Sequence, residues 1–235
     1  MTPLPARRAA TCRPSATRPS PARPSSRRDE SSSRRPGLST AVAGVALAAA
    51  IVAAPSGARA EPQRFVLDPE HLTVGFLVSH IGYADTLGLF RDVEGSFVFD
   101  EATRTLSDLE VVVRTASVDT FHEARDEHVR SGDFLDAETH PEMTFVMTGA
   151  EASGETTGTV TGDLTLRGET RPITLDVTLN KIGAYPPGFP PAYVVGVSVR
   201  GAIDRSDWGM TYGVDSGLVG DRVSLLIEAE ARRQE

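Results

Sequence analysis

The fifteen residues from Thr120 to Phe134 hold two His, two Glu, two Asp and two Arg. His122-Glu123 opens the run as the helix of a zinc hydrolase would, with His ligands at i and i+4 and Glu at i+1. Position i+4, however, is Asp126, and the second imidazole is His128 at i+6. Six residues of helix turn through about 600°, so the two rings point to different sides. A metal-dependent hydrolase would therefore have to use His122 with Asp126 and recruit a third ligand, such as His80 or His140, from another element. The alternative is local electrostatics: His122–Asp126 is an attractive i,i+4 pair and Glu123–Glu127 a repulsive one. No other catalytic signature stands out. There is no G-x-S-x-G elbow, P-loop or G-x-G-x-x-G turn, and no metal or cofactor is implied.

The elements that must carry this run lie in the second part of the chain. Residues 1–36 are rich in Arg, Pro, Ser and Ala. Such a segment buries too little apolar surface to offset its ordering entropy and is expected to be disordered. "AVAGVALAAAIVAA" (41–54) follows. It is too short for the roughly 20 residues that a bilayer span needs. Arg34 and Arg35 before it and "ARA" (58–60) after it complete the pattern of a secretory signal peptide. Cleavage is expected near Ala60, with a periplasmic or secreted product. "SSRRPGLS" (32–39) loosely resembles a twin-arginine signal, which leaves Sec and twin-arginine export both open.

Residues 1–60 carry 10 Arg and 2 acids, a net of +8, so the remaining 61–235 carry −16 of the chain's overall −8. An acidic domain of this kind is a poor partner for nucleic acid. Nor is stable membrane insertion of the mature chain expected. The single cysteine, Cys12, lies before the cleavage point, which excludes disulfides and thiol chemistry from the mature chain.

From Gln63 onward the pattern is period-2 alternation, the mark of half-buried strands. Leu72, Val74, Phe76 and Val78 share a face with His80; Phe97 pairs with Phe99; Leu109, Val111 and Val113 follow. Met143, Phe145 and Met147 form the next face, then Val160, Leu164 and Leu166, then Ile173 to Leu179, Val195 to Ile203, and Val223 to Ile227. Eight strands, each with one apolar face, suit an all-β antiparallel architecture, either a closed barrel or a sandwich. The alternation stops between the third and fourth strands, at "DTFHEARDEHVRSGDF". Asp119 or Thr120 could cap a short helix there and Gly132 could end it. On that helix Phe121, Ala124, Arg125 and His128 would form one mixed face over the apolar interior. His80, inward by parity, reads first as a hydrogen-bonded core residue. Trp208 could plug a barrel end.

Five ordered stretches carry a family resemblance: "HIGYADTLGLFRDVEGSFVFD" (80–100), "SVDTFHEARDEHVRSGDFLDAETHPEMTF" (117–145), "GDLTLRGETRPITL" (162–175), "IDRSDWGM" (203–210) and "GDRVSLLIEAE" (220–230). Together they resemble the YceI-like family over nearly all of 64–230, with Leu72 in place of a common Ser and Val129 in place of a common Leu. The resemblance implies an eight-stranded, antiparallel, lipocalin-like barrel with the short helical connection between its third and fourth strands. It also implies a binding protein, not an enzyme, for an isoprenoid lipid: a polyprenyl phosphate, a quinone or a precursor; a packed, ligand-free structural or stress-response barrel is the alternative. A homodimer is compatible with it. On that reading Phe76, Val78, Phe97, Phe145, Met147, Leu164, Leu166 and Val197 would line the apolar tunnel. His80, Arg125 and His128 would stand at its mouth, near the head group.

Overall fold

The structure is a computed structural model and describes residues 61–235. The expected disordered segment, signal peptide and cleavage point therefore lie outside the described residues. Ten strands form one sheet: β1 (Gln63–His80), β2 (Ala84–Phe90), β3 (Val93–Asp100), β4 (Thr105–Arg114), β5 (Val118–Asp119), β6 (Glu142–Ala152), β7 (Thr157–Leu166), β8 (Glu169–Ala184), β9 (Tyr193–Asp204) and β10 (Val219–Arg233). Eight of them, β1, β3, β4 and β6 to β10, run as successive antiparallel neighbours. Pairing of β1 with β10, from Phe65↔Arg233 to His80↔Val219, closes the ring. The sheet is thus a closed eight-stranded antiparallel barrel, and the sandwich alternative is set aside.

Two short strands have no counterpart among the eight read from alternation. β1 is 18 residues long and β3 only 8. β3 pairs with β1 only over Gln63–Val66, which leaves the second half of β1 with an open edge. β2 folds back along that edge from Val74↔Phe90 to His80↔Ala84, and β5 adds two residues to β2. Covered in this way, the second half of β1 is paired on both sides, and β2 becomes the outer strand.

β1 changes register against β10 between Leu67 and Leu72. Asp68 sits in that bulge, buried, and holds it together. Its carboxylate accepts from the Glu70 amide at 3.2 Å, from His71 Nδ1 at 2.8 Å and from Arg232 Nε at 2.8 Å. Nearby, Phe65, wholly buried, stacks on Phe97 with centroids 5.4 Å apart and planes 12° apart. These rings, with Val195 and Ala231, make an apolar cluster toward the end that carries the β3–β4, β6–β7 and β8–β9 turns. The opposite end carries the β4–β6 connection.

That connection contains one helix, α1 (Glu123–Arg130). Its start differs from expectation. His122 is the N-cap, with Nδ1 accepting from the Arg125 amide at 3.4 Å, while Asp119 caps the turn before it by accepting from the Phe121 amide at 2.8 Å. Ser131, not Gly132, ends the helix, its hydroxyl donating to the His128 carbonyl. The buried side of α1 is Asp126 with half-buried Val129, whereas Phe121 and Ala124 are exposed. A polar side chain at the core face was invisible to a hydrophobic pattern, because its burial is licensed by hydrogen bonds rather than by apolarity. No helix among the described residues is long and apolar enough to cross a membrane.

Candidate functional site: an apolar tunnel and its mouth

Inward side chains leave the barrel hollow. A cavity of about 710 Å³ runs between the strands. Phe76, Val78, Phe97, Phe145, Leu164, Leu166 and Val197 all stand on its wall, along with Leu109, Val111, Val177, Val199, Val223 and Leu225. Many of these are only half-buried although they point inward, because their free surface faces the lumen. Met147 is not on the wall. It packs against the core cluster beside a register shift between Met147 and Gly149, and Met143 takes the lining position.

Two large rings of the wall pack closely against glycines. Phe76 is the cross-strand partner of Gly88. A Cβ on Gly88 would lie 2.1 Å from Phe76 Cζ, and one on Gly162 would lie 2.4 Å from Phe145 Cζ. Only a residue without a side chain lets an aromatic ring approach the backbone so closely.

Polar groups gather at the end that carries α1. Thr120 is its hub, 2 % exposed. The Thr120 amide and hydroxyl both donate to Asp126 Oδ1, at 2.7 and 2.5 Å. The same hydroxyl accepts from Arg125 Nε at 2.7 Å, and the Thr120 carbonyl accepts from Arg125 Nη2 at 2.6 Å. One hydroxyl can donate once and accept as well, so Arg125, Thr120 and Asp126 form a continuous chain. Arg125 is on the cavity wall and pins the connection at the same time.

His128 also lines the cavity. Its Nε2 is 3.0 Å from Asp133 Oδ2, and its ring meets Phe134 and Tyr212 edge-on at 5.0 and 4.8 Å. His80 lies on the wall too, but as an exposed residue at the last position of β1, not as the core histidine its parity suggested. All three residues assigned to the mouth thus lie on the cavity wall, which also reaches exposed Arg104, Thr105, Glu151 and Gly154 to Thr157 at the opposite end. The supposed metal pair is not brought to any shared site. Asp126 is taken by Thr120, and exposed His122 caps α1.

Sequence reasoning missed Arg205, Phe134 and Tyr212, all at this end. Arg205 is 2 % exposed. It donates to the carbonyls of Gly220, Met210, Tyr212 and Val219 at 2.8, 2.5, 2.7 and 3.0 Å, tying the 209–219 loop to the barrel. Burial pulls its guanidinium below the usual arginine range, against an opposing pull from Asp221. Its Cζ stands 5.4 Å over the Phe134 ring. "IDRSDWGM" was visible in the sequence, but nothing in alternation places an arginine inside. Trp208, 3 % exposed, is packed in the core with Nε1 donating to the Leu164 carbonyl at 3.3 Å.

Among the described residues one group has the donor set of a metal site: Asp68, His71 and Glu230, whose ligand atoms lie within 4.8 Å of one another. The Arg232 guanidinium already sits 2.7 Å from Asp68, and the Tyr185 hydroxyl donates to Glu230. A cation in place is a poor neighbour for a second one.

Comparison with known proteins agrees with this geometry. The family model described as the YceI-like domain matches residues 65–231. A UPF0312 protein of Pectobacterium carotovorum is 36% identical over 182 residues, covering 77% of this chain and 92% of its own. The crystal structure of the Campylobacter jejuni YceI protein is 32% identical, covers 67% of this chain and 90% of its own, and superposes with a TM-score of 0.60. A polyisoprenoid binding domain from Saccharophagus degradans, 14% identical, covers 74% of this chain and all of its own with a TM-score of 0.54, a likeness of fold alone.

Proposed function

The chain belongs to the YceI-like family, and we propose that it is an exported binding protein that carries or sequesters an isoprenoid lipid. The observation that carries this reading is the hollow interior. A cavity of about 710 Å³ walled mainly by apolar side chains suits a long hydrocarbon chain. At roughly the 30 Å³ that a water takes in the liquid, it holds on the order of 24 carbon-sized atoms, about five isoprene units. Each buried methylene contributes about 0.8 kcal/mol, so the gross driving force is about 19 kcal/mol before the ordering costs of association. The neighbour from Saccharophagus degradans, described as a polyisoprenoid binding domain, supports the ligand class through its fold.

The head group would rest at the α1 end, beside His80, Arg125 and His128. A polyprenyl phosphate would favour Arg125, and a quinone could use either histidine. The signal-like segment ending near Ala60 supports export to the periplasm or beyond. A binding role needs no catalytic group, and the hydrogen bonds that hold Asp126 speak against a hydrolase built on His122 and Asp126.

The test is direct. Mature protein, exported by its own leader, is extracted with organic solvent and the extract examined by mass spectrometry. Separately, the emptied protein is titrated with geranylgeraniol in a fluorescence displacement assay. Prenyl lipid in the extract, or saturable one-to-one uptake, is expected. An empty protein that also refuses geranylgeraniol would sink the proposal.

A further inference from the structure

We propose that the α1 end of the barrel docks onto a lipid bilayer through an exposed apolar rim, so that the ligand passes between bilayer and tunnel without entering water. This inference rests on the lipid-binding reading and adds the partner surface.

The rim is built from two segments at one opening. β1 turns into β2 through His80-Ile81-Gly82-Tyr83, closed by the Tyr83 amide donating to the His80 carbonyl at 3.1 Å. The Ile81 amide donates to the Leu218 carbonyl at 3.0 Å, which ties this turn to the 209–219 loop. His80, Tyr212 and Leu218 line the tunnel. Around them Ile81, Tyr83, Tyr212 and Leu218 are 47, 90, 39 and 36% exposed.

Backbone conformation makes this exposure more than incidental. Ile81 has φ +51° and Gly82 φ +71°, the pattern of a type I′ turn. That turn favours Asn-Gly or Asp-Gly, and a β-branched residue at its first central position is strained. Isoleucine here opposes both the backbone preference and the hydrophobic effect. Phe121 has the same combination, φ +65° and 62% exposure, but it lies against Arg91, past the end of β2 farthest from this turn, and is not part of the rim. A bulky β-branched side chain held out in a left-handed conformation next to the tunnel-lining His80 fits a surface whose gain comes from an external apolar phase.

The occupant follows from the tunnel. Its wall is apolar through the middle of the barrel, and an isoprenoid leaving through open water would expose its whole length. An apolar phase pressed against the rim removes that barrier. Charge sets the lipid type. The 61–235 segment carries net −16, and exposed Asp85 and Asp215 flank the rim segments, so anionic headgroups are repelled. Docking is through apolar insertion into zwitterionic lipid, as interfacial side chains do.

The experiment uses phosphatidylcholine vesicles. Flotation of the empty protein measures docking, and stopped-flow uptake of geranylgeraniol from the vesicles measures delivery. The variant Ile81→Asn/Tyr83→Ser removes two rim side chains that do not line the tunnel and relaxes the turn. Phe189→Ser, an exposed ring at the opposite end, is the control. The variant is expected to float at least tenfold less and to load at least tenfold more slowly. Its melting temperature should not fall, and its affinity for geranylgeraniol added from ethanol should match wild type. The control should behave as wild type, and replacing half the lipid with phosphatidylglycerol should weaken flotation. Wild-type flotation and loading rates in the variant would overturn the proposal. So would a wild-type dimer that becomes monomeric in the variant with vesicle binding unchanged, which would assign the rim to a second copy. If geranylgeraniol binds from neither source, the lipid-binding reading fails, while flotation still judges the docking.

Discussion

Gly88 gives the sharpest test of the open lumen. A methyl group there would stand 2.1, 2.5 and 2.8 Å from Phe76 Cζ, Cε1 and Cε2, and these ring atoms are its three nearest neighbours. Carbon atoms in contact settle at about 3.5–4.0 Å, so the ring must retreat by roughly 1.5 Å. Phe90 flanks it at a centroid distance of 5.6 Å, and β1–β2 pairing fixes the backbone behind it. The free direction is the lumen. A ring lifted off the wall excludes the ligand over about one isoprene unit, five carbons worth about 4 kcal/mol if all are displaced and about 2 kcal/mol if half are. Gly88→Ala should therefore weaken geranylgeraniol binding by about thirtyfold, with a ceiling near a thousandfold. Adding Phe76→Leu to Gly88→Ala removes the displaced ring and should restore most of the affinity. Fluorescence displacement measures both, and urea unfolding checks that each variant is folded. Affinity within threefold of wild type in Gly88→Ala, or a double variant as weak as the single one, would refute the idea that Gly88 keeps the tunnel clear.

The polar hub at the mouth should matter for stability. Thr120→Val keeps the shape but removes the hydroxyl from Asp126 and Arg125, and leaving buried polar groups short of a partner costs about 1–3 kcal/mol; a lower urea midpoint is expected, with Thr120→Ser close to wild type. The β1 bulge should make stability depend on pH in two directions. Burial raises the Asp68 carboxyl, but hydrogen bonds from His71, the Glu70 amide and Arg232 outweigh it and the net shift is down. Its contribution is present above the ordinary carboxylate range and fades as pH falls through the lowered folded value. The hydrogen bond to Asp68 raises His71, so its contribution is full below the ordinary histidine range and lost as pH rises through the raised value. His71→Ala should therefore lower the melting temperature more at pH 5.5 than at pH 8.5, and an equal loss at both would remove His71 from the account.

The sequence alone determined the strands and which way they face. Period-2 alternation is a property of neighbouring residues, so Phe76, Val78, Phe145, Leu164 and Leu166 could be assigned inward before any pairing was known. It could not determine β2 or β5. Those strands answer a need of β1, an edge left open because β3 is too short, and that need exists only once β1 is placed between β3 and β10. Cap choice failed at α1 for a related reason. Asp119 and Thr120 were the expected caps, but Asp119 accepts from the Phe121 amide and Thr120 bonds Asp126 and Arg125, and His122 takes the cap position. Met147 has inward parity, yet it packs against the core cluster and does not reach the lumen. Closure of the ring, the seating of Phe76 on Gly88, and the mouth itself belong to tertiary structure alone. The mouth gathers His80, Arg125, His128, Arg205 and Tyr212 from three segments far apart in the chain. No local pattern can report such a meeting, because it follows from where the strands end when the sheet curls on itself.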